Sequence, residues 1–195
     1  MNLFVTLKPG NLTCHQPEFL RGKLMKDIDS RDLTCELEEE TCPPGCECLL
    51  RRADWGLIVN CTDHGLEEIP SKLPRIRYTN HTELILDGNA IRKLPNTNVG
   101  YENVTHLHLS RNNITTIDVG FLSPKLEILT VDNNNITKLS SELIKFLSNS
   151  TDIRFLTLHN NPWVCDCSTR ELLNLIQLKF KQVRNFKLGK DFRKN

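Results

Sequence analysis

The 195-residue chain has no apolar run approaching the ~20 residues that a bilayer-spanning helix needs, so no membrane span is expected within it. An excess of charge of one sign is also missing. With 25 basic and 24 acidic residues the net charge is +1, which argues against a general nucleic-acid-binding surface. Hydrophobic residues make up 38% and aromatics 6%, little for a deep globular core but ordinary for a stack one residue deep. No G-x-S-x-G elbow, H-E-x-x-H helix or phosphate loop appears, so no enzyme activity and no cofactor is expected. The start, Met1 to Gly10, holds only the short apolar run Leu3-Phe4-Val5 with no basic region before it, which is unlike a secretory signal. No cysteine follows Cys167.

What is present is one short pattern, four times in succession. It reads Leu84-Ile-Leu86-Asp-Gly-Asn89-Ala-Ile91, Leu107-His-Leu109-Ser-Arg-Asn112-Asn-Ile114, Leu129-Thr-Val131-Asp-Asn-Asn134-Asn-Ile136 and Leu156-Thr-Leu158-His-Asn-Asn161-Pro-Trp163. Asn89, Asn112, Asn134 and Asn161 are separated by 23, 22 and 27 residues. That spacing and the L-x-L-x-x-N-x-L core are what a leucine-rich repeat requires. Alternating leucines make a short strand with one buried face. Each asparagine then turns the chain inward, where its amide can satisfy backbone groups left unpaired by the turn. The four should stack as a structural ladder. The chain is predicted to be an α/β leucine-rich repeat solenoid with a short curved parallel sheet, a scaffold for binding.

Eight cysteines argue against a cytosolic life. Seven N-x-S/T sequons agree with them, at Asn11, Asn60, Asn80, Asn103, Asn113, Asn135 and Asn149. An extracellular glycoprotein is expected, and without a signal peptide the chain reads as a piece of something longer.

Residues 1–40 carry no repeat but hold Cys14 and Cys35. An acidic stretch, Glu36 to Thr41, marks a boundary before Cys42-Pro-Pro-Gly-Cys46-Glu-Cys48 and Cys61. Four cysteines can also bind zinc, but the spacing C-x3-C-x-C-x12-C lacks paired C-x2-C knuckles, so bridges are favoured over metal. Val59-Asn-Cys61 and the following Leu66-x-x-Ile69 form a first irregular repeat. Apolar Leu143, Ile144 and Leu147 at helical spacing predict a convex-side helix over Ser141 to Ser148, which accounts for the 27-residue interval. After Asn161-Pro-Trp163-Val-Cys165-Asp-Cys167 a second helix is expected from Ser168. Ser168 to Glu171 would be its capping box, and Leu172, Leu173, Leu175, Ile176 and Leu178 its apolar face.

The cysteine cluster from Cys42 to Cys61 resembles the N-terminal cap of extracellular leucine-rich arrays, which shields the open edge of the first repeat. That resemblance implies the interlocked pairing Cys42–Cys48 and Cys46–Cys61. The Cys165-x-Cys167 run is similar to the opening of a C-terminal cap, which ordinarily has two later cysteines. Cys14 and Cys35 look like the second half of such a cap from an upstream array. On this reading residues 1–40 are a remnant of that upstream cap, 41–74 the N-terminal cap, 75–162 the repeats, and 163–195 an incomplete C-terminal cap and basic tail. Cys14, Cys35, Cys165 and Cys167 would then be unpaired or mispaired.

That order resembles the ectodomain of Toll receptors, especially the insect type. The stretches that carry it are Cys14-His-Gln-Pro-Glu-Phe-Leu-Arg-Gly-Lys-Leu24, the Cys42–Cys48 segment, Gly100-Tyr-Glu-Asn-Val-Thr-His-Leu-His-Leu109 and Asn161–Cys167. The resemblance implies the juxtamembrane part of an innate immune or developmental receptor, on the extracellular face of the plasma membrane, which supports ligand-induced dimerisation. Its implied partners are another receptor chain, a cystine-knot cytokine of the Spätzle type, or both. The alternative is a truncated or secreted decoy that binds without signalling.

Strand residues between the buried leucines should face the concave side, in the columns Glu83/His106/Ile128/Phe155, Ile85/His108/Thr130/Thr157 and Asp87/Ser110/Asp132/His159. Ile85, Ile128 and Phe155 are expected as exposed apolar contacts, and Glu83 completes the set of polar candidates. His106, His108 and His159 with Asp87 and Asp132 could make a pH-sensitive cluster; no metal site is predicted. The basic tail, from Lys179 through Lys181, Arg184, Lys187, Lys190 and Arg193 to Lys194, is expected to be solvated.

Overall fold

The computed structural model describes residues 12–16, 18–37, 42–167 and 169–182, with side chains described as far as residue 177. Among these residues there is one seven-stranded sheet in chain order: β1 (Thr34–Glu36), β2 (Glu47–Arg51), β3 (Gly56–Asn60), β4 (His81–Ile85), β5 (Val104–His108), β6 (Ile128–Thr130) and β7 (Phe155–Thr157). From β3 to β7 the strands are parallel, as stacked repeats demand. The first three are antiparallel, so the sheet reaches further forward than the repeats. A tight turn from Arg51 to Gly56 permits that, because antiparallel neighbours need no long crossover.

One register runs through the parallel strands apart from a shift between Thr82 and Glu83 where β4 meets β5. Val59, Leu84, Leu107, Leu129 and Leu156 pair in sequence across the sheet, and all are buried. A second buried column, Cys61, Leu86, Leu109, Val131 and Leu158, follows just after the strands. The backbone ladder continues through it: Leu86 N–H donates to His108 O at 2.8 Å and Leu109 N–H to Thr130 O at 2.8 Å. Burying each leucine stabilises by about 1.5–3 kcal/mol relative to leaving it in water.

The asparagine ladder links each repeat to the one before it. Asn112 Nδ2 donates to Leu86 O at 2.8 Å and Leu109 O at 3.2 Å, while its Oδ1 accepts from Ile91 N–H at 3.1 Å. Asn134 does the same one repeat later, with Leu109 O at 2.8 Å and Ile114 N–H at 2.9 Å. Asn89 reaches back to Cys61 O at 2.8 Å and Leu66 N–H at 2.9 Å, and Asn161 to Val131 O at 2.9 Å and Ile136 N–H at 3.0 Å. The residue before each asparagine lies in the left-handed region: Gly88 at φ +71°, Arg111 at +57°, Asn133 at +55° and Asn160 at +52°.

At the front, the bridges Cys42–Cys48 and Cys46–Cys61 close the cap, the pairing implied by the resemblance. Cys61 occupies a leucine place in the second column, so the cap is tied directly to the core. At the back, α1 (Ser141–Asn149) and α2 (Thr169–Gln182) pack together. Ser140 caps α1 by accepting Leu143 N–H at 3.1 Å, and Leu143, Ile144 and Leu147 are its buried face. Ser168 lies outside the described residues, and so does the side chain of Leu178. Glu171 accepts from Ser141 Oγ on α1 at 3.1 Å. Leu172 and Leu175 are buried, but Leu173 is 53% exposed, a correction to the expected apolar face. At 100° per residue it turns off the stripe that its neighbours share.

Asn112→Ala should cost ~1–3 kcal/mol, because it leaves buried backbone groups unsatisfied. Leu109→Ala should cost ~2–5 kcal/mol by opening a cavity in the second column. Urea denaturation midpoints measure both, and an unchanged midpoint for Asn112→Ala would contradict the ladder's role.

Candidate functional site on the sheet face

The face of the sheet turned away from the core carries the columns expected from the sequence, with Ile58 and Asn60 of β3 extending them. Glu83 pairs with His106, His106 with Ile128 and Ile128 with Phe155. Its front half is a web of charge. Arg51 Nε donates to both Asp54 oxygens at 3.0 Å, and its Nη1 donates to Glu83 Oε2 at 3.1 Å. His81 Nε2 lies 3.4 Å from Arg51 Nη2 and 3.7 Å from Asp54 Oδ2, and His108 Nε2 lies 3.7 Å from Glu83 Oε1. The His81 and His106 rings are 5.8 Å apart and tilted.

Arg51, Asp54 and His81 were not among the sequence candidates. Period-two alternation back from Glu83 was the available signal for His81; Arg51 and Asp54 arrive through the hairpin turn, which no periodicity marks. A Cβ at Gly56 would stand 2.7 Å from His81 Nε2 and 2.9 Å from Asp54 Oδ1, so a larger residue there would push the tips of both side chains aside.

The electrostatics follow from this crowding. Burial tends to raise the Asp54 carboxyl, but the hydrogen bonds and charge of Arg51, with Gly56 N–H, hold it below the usual range. Burial lowers His106; Glu83 and Glu127 oppose that shift, while His81 and His108 add to it. At the other end, burial would raise Asp132, yet donors on Thr157, Ser110 and Asn133 outweigh it, helped by His159, and the carboxyl is lowered. Asp132 Oδ1 accepts from Ser110 Oγ at 2.7 Å and Thr157 Oγ1 at 2.5 Å.

The expected histidine cluster therefore divides. His106 and His108 gather with His81 around Glu83, whereas His159 sits 3.7 Å from Asp132. Asp87 is 4% exposed and its Oδ1 accepts Ser110 N–H at 2.8 Å, so Ser110, which also donates to Asp132, stands between the two carboxylates. Ile85, Ile128 and Phe155 are half-buried where full exposure was expected, because strands ~5 Å apart bring neighbouring side chains of one column into contact. Among the described residues no group of three or more His, Cys, Asp or Glu is placed to hold a metal ion.

Asn80 and Asn103 lie just before β4 and β5, and Asn113 and Asn135 just after their ladder asparagines, all four exposed. Asn149 is exposed at the end of α1, and Asn60 is half-buried with Oδ1 accepting from Thr62 Oγ1 at 2.6 Å. Asn11 lies outside the described residues. Cys14, Cys35, Cys165 and Cys167 are free thiols, and all but Cys14 are exposed.

Comparison with known proteins agrees with this geometry. Residues 41–74 match the leucine rich repeat N-terminal domain and residues 79–136 the leucine rich repeat. Together with the ladder and the bridged cap, they make this a leucine-rich repeat protein with a disulfide-closed front. The chain is 36% identical to the protein Toll of Drosophila melanogaster over 185 residues, 91% of this chain and 17% of Toll. Leucine-rich repeat-containing protein 3 of Danio rerio is 33% identical over 143 residues, 70% of this chain and 49% of that protein. A chain in the structure of the Drosophila Toll–Spatzle complex superposes with a TM-score of 0.79 at 33% identity, covering 94% of this chain and 24% of its own length. The chain is a Toll-like leucine-rich repeat protein. It spans about a sixth of Toll and half of the second relative.

Since burial holds His106 below its ordinary value of about 6.5, the unfolded chain takes up a proton there before the folded chain does. Stability should therefore fall as pH drops through that value, and level off once the folded imidazole is protonated. His106→Gln should flatten that part of the curve, read by urea denaturation between about pH 8 and 5.

Proposed function

We propose that this chain is the juxtamembrane leucine-rich repeat array of a Toll-type receptor ectodomain. It acts there as an extracellular, non-enzymatic protein-binding module that supports receptor dimerisation. One observation carries the reading: the likeness to Toll extends over 91% of the chain, through caps and repeats alike, rather than over the common repeat alone. A solved complex of Toll with Spatzle supports a cytokine of that type as one partner, and a second receptor chain is the other. Among the described residues no helix is long and apolar enough to cross a membrane.

The sheet face is the contact surface that the geometry favours. Sugars on Asn80 and Asn103 would flank one side and sugars on Asn113 and Asn135 the other, leaving the strip between them open. Ile85, Ile128 and Phe155 supply apolar area beside Glu83, Asp132 and the histidines. An array this short offers a small interface, so association in free solution should be weak and should strengthen where a membrane raises the effective concentration.

Copies of the chain tethered by their C-termini to lipid vesicles should associate, read by energy transfer between labels, while the same copies in solution remain monomeric up to about 10 μM. Phe155→Glu should reduce the transfer at least ~10-fold in apparent affinity, as loss of an aromatic contact predicts. Failure to associate on vesicles, together with no binding to a Spätzle-type cytokine, would overturn the proposal.

A further inference from the structure

Two aromatic side chains stand outside the core on adjacent turns: Trp55 is 41% exposed and Tyr78 is 71% exposed. Both have left-handed backbones, with φ of +55° and +77°, a conformation that bulky residues rarely adopt. Tyr78 is the third residue of a turn closed by Thr79 N–H to Ile76 O at 3.3 Å, a position where positive φ calls for glycine or asparagine. Strain of this kind is held by the surrounding structure and clusters at functional places. One face of each ring is taken by a neighbouring guanidinium, Arg52 at 5.4 Å from Trp55 and Arg77 at 5.2 Å from Tyr78.

The residue that joins these turns is Asn80, the acceptor of the sequon Asn80-His-Thr82. Its backbone N–H donates to Trp55 O at 2.9 Å, and its Nδ2 donates to Asp54 O at 3.4 Å. A group attached at Nδ2 thus starts beside the Trp55 turn, two residues along the chain from Tyr78. An internal comparison sharpens the point. In the next repeat the equivalent turn is closed by Tyr101 N–H to Asn98 O at 2.7 Å, and its third residue is Gly100, at φ +87°. The neighbouring repeat meets this backbone with glycine, whereas here the turn carries an exposed tyrosine.

We propose that Asn80 is an N-glycosylation site with a built-in aromatic seat. The first N-acetylglucosamine lays its C–H face on the open face of Tyr78, with the Trp55 turn as the second wall. The modification joins Nδ2 to sugar C1, displaces a lipid pyrophosphate from C1 and releases one amide proton. One N–H remains on Nδ2 for the Asp54 carbonyl. Contact removes apolar ring surface from water, and little freedom is lost because Asn80 is already held. The inference rests on the extracellular reading above, since such sugars are added only along the secretory route.

The test uses the full chain behind a secretion leader, made in cells restricted to high-mannose glycans and trimmed by endoglycosidase to one sugar per site. Thermal midpoints are compared for the chain, Tyr78→Ala, Asn80→Gln and the double variant. Tyr78→Ala should lower the midpoint by about 2–4 °C more when Asn80 carries its sugar than in the Asn80→Gln background. An equal shift in both backgrounds would overturn the seat. Sugar at other sequons with Asn80 empty would overturn this proposal alone; no sugar at any sequon would overturn it together with the extracellular reading.

Discussion

Everything in this molecule depends on a side-chain amide that spans two repeats. A stack one residue deep turns sharply after every strand, and the turn leaves carbonyls and N–H groups facing an apolar interior. Leaving such groups unpaired costs about 1–3 kcal/mol each. Asn89, Asn112, Asn134 and Asn161 meet that need with both ends of the amide, donating to carbonyls and accepting from an N–H of the preceding repeat. Because each bond set crosses to the neighbour, satisfying the turn also locks the register. The leucine columns, and with them the outward columns of the sheet face, follow from that lock.

The front cap meets the same demand differently. By position, His64 stands where the next repeats have asparagine, after Asp63 at φ +57°. An imidazole cannot present a donor and an acceptor on one short amide. His64 instead contributes its backbone N–H to Asn89 Oδ1 at 3.1 Å, so the ladder begins one repeat later. The disulfide at Cys61 and the antiparallel strands β1 and β2 replace the missing rung, covering an edge that would otherwise invite pairing with another chain.

On the sheet face, charge is largely internal to the molecule. Arg51 is shared between Asp54 and Glu83, and Asp132 is held by hydroxyls and an amide, so these groups set the shape of the surface more than its net sign. What such a face offers a partner is half-buried Ile128 and Phe155 beside the imidazoles of His106 and His108. That suits recognition between proteins better than capture of a small ion.

The repeats, the ladder and the outward columns were legible in the sequence, because a period of 22 or 23 residues with leucines at fixed offsets admits one register. The α1 helix was legible from the apolar spacing of Leu143, Ile144 and Leu147. The bridge pattern of the cap came by resemblance, since four cysteines alone allow three pairings. Tertiary structure decided what contact between elements decides. Asp87 is drawn into the interior by Ser110 N–H, a partner 23 residues away. Arg51 and Asp54 reach the site through a hairpin that has no repeat of its own. Tyr78 takes the positive φ that the next repeat gives to Gly100 and stands exposed, while Tyr101, one residue further along its turn, is buried. Sequence periodicity states which face a residue occupies; which neighbour closes over that face depends on distances that only the packed chain sets.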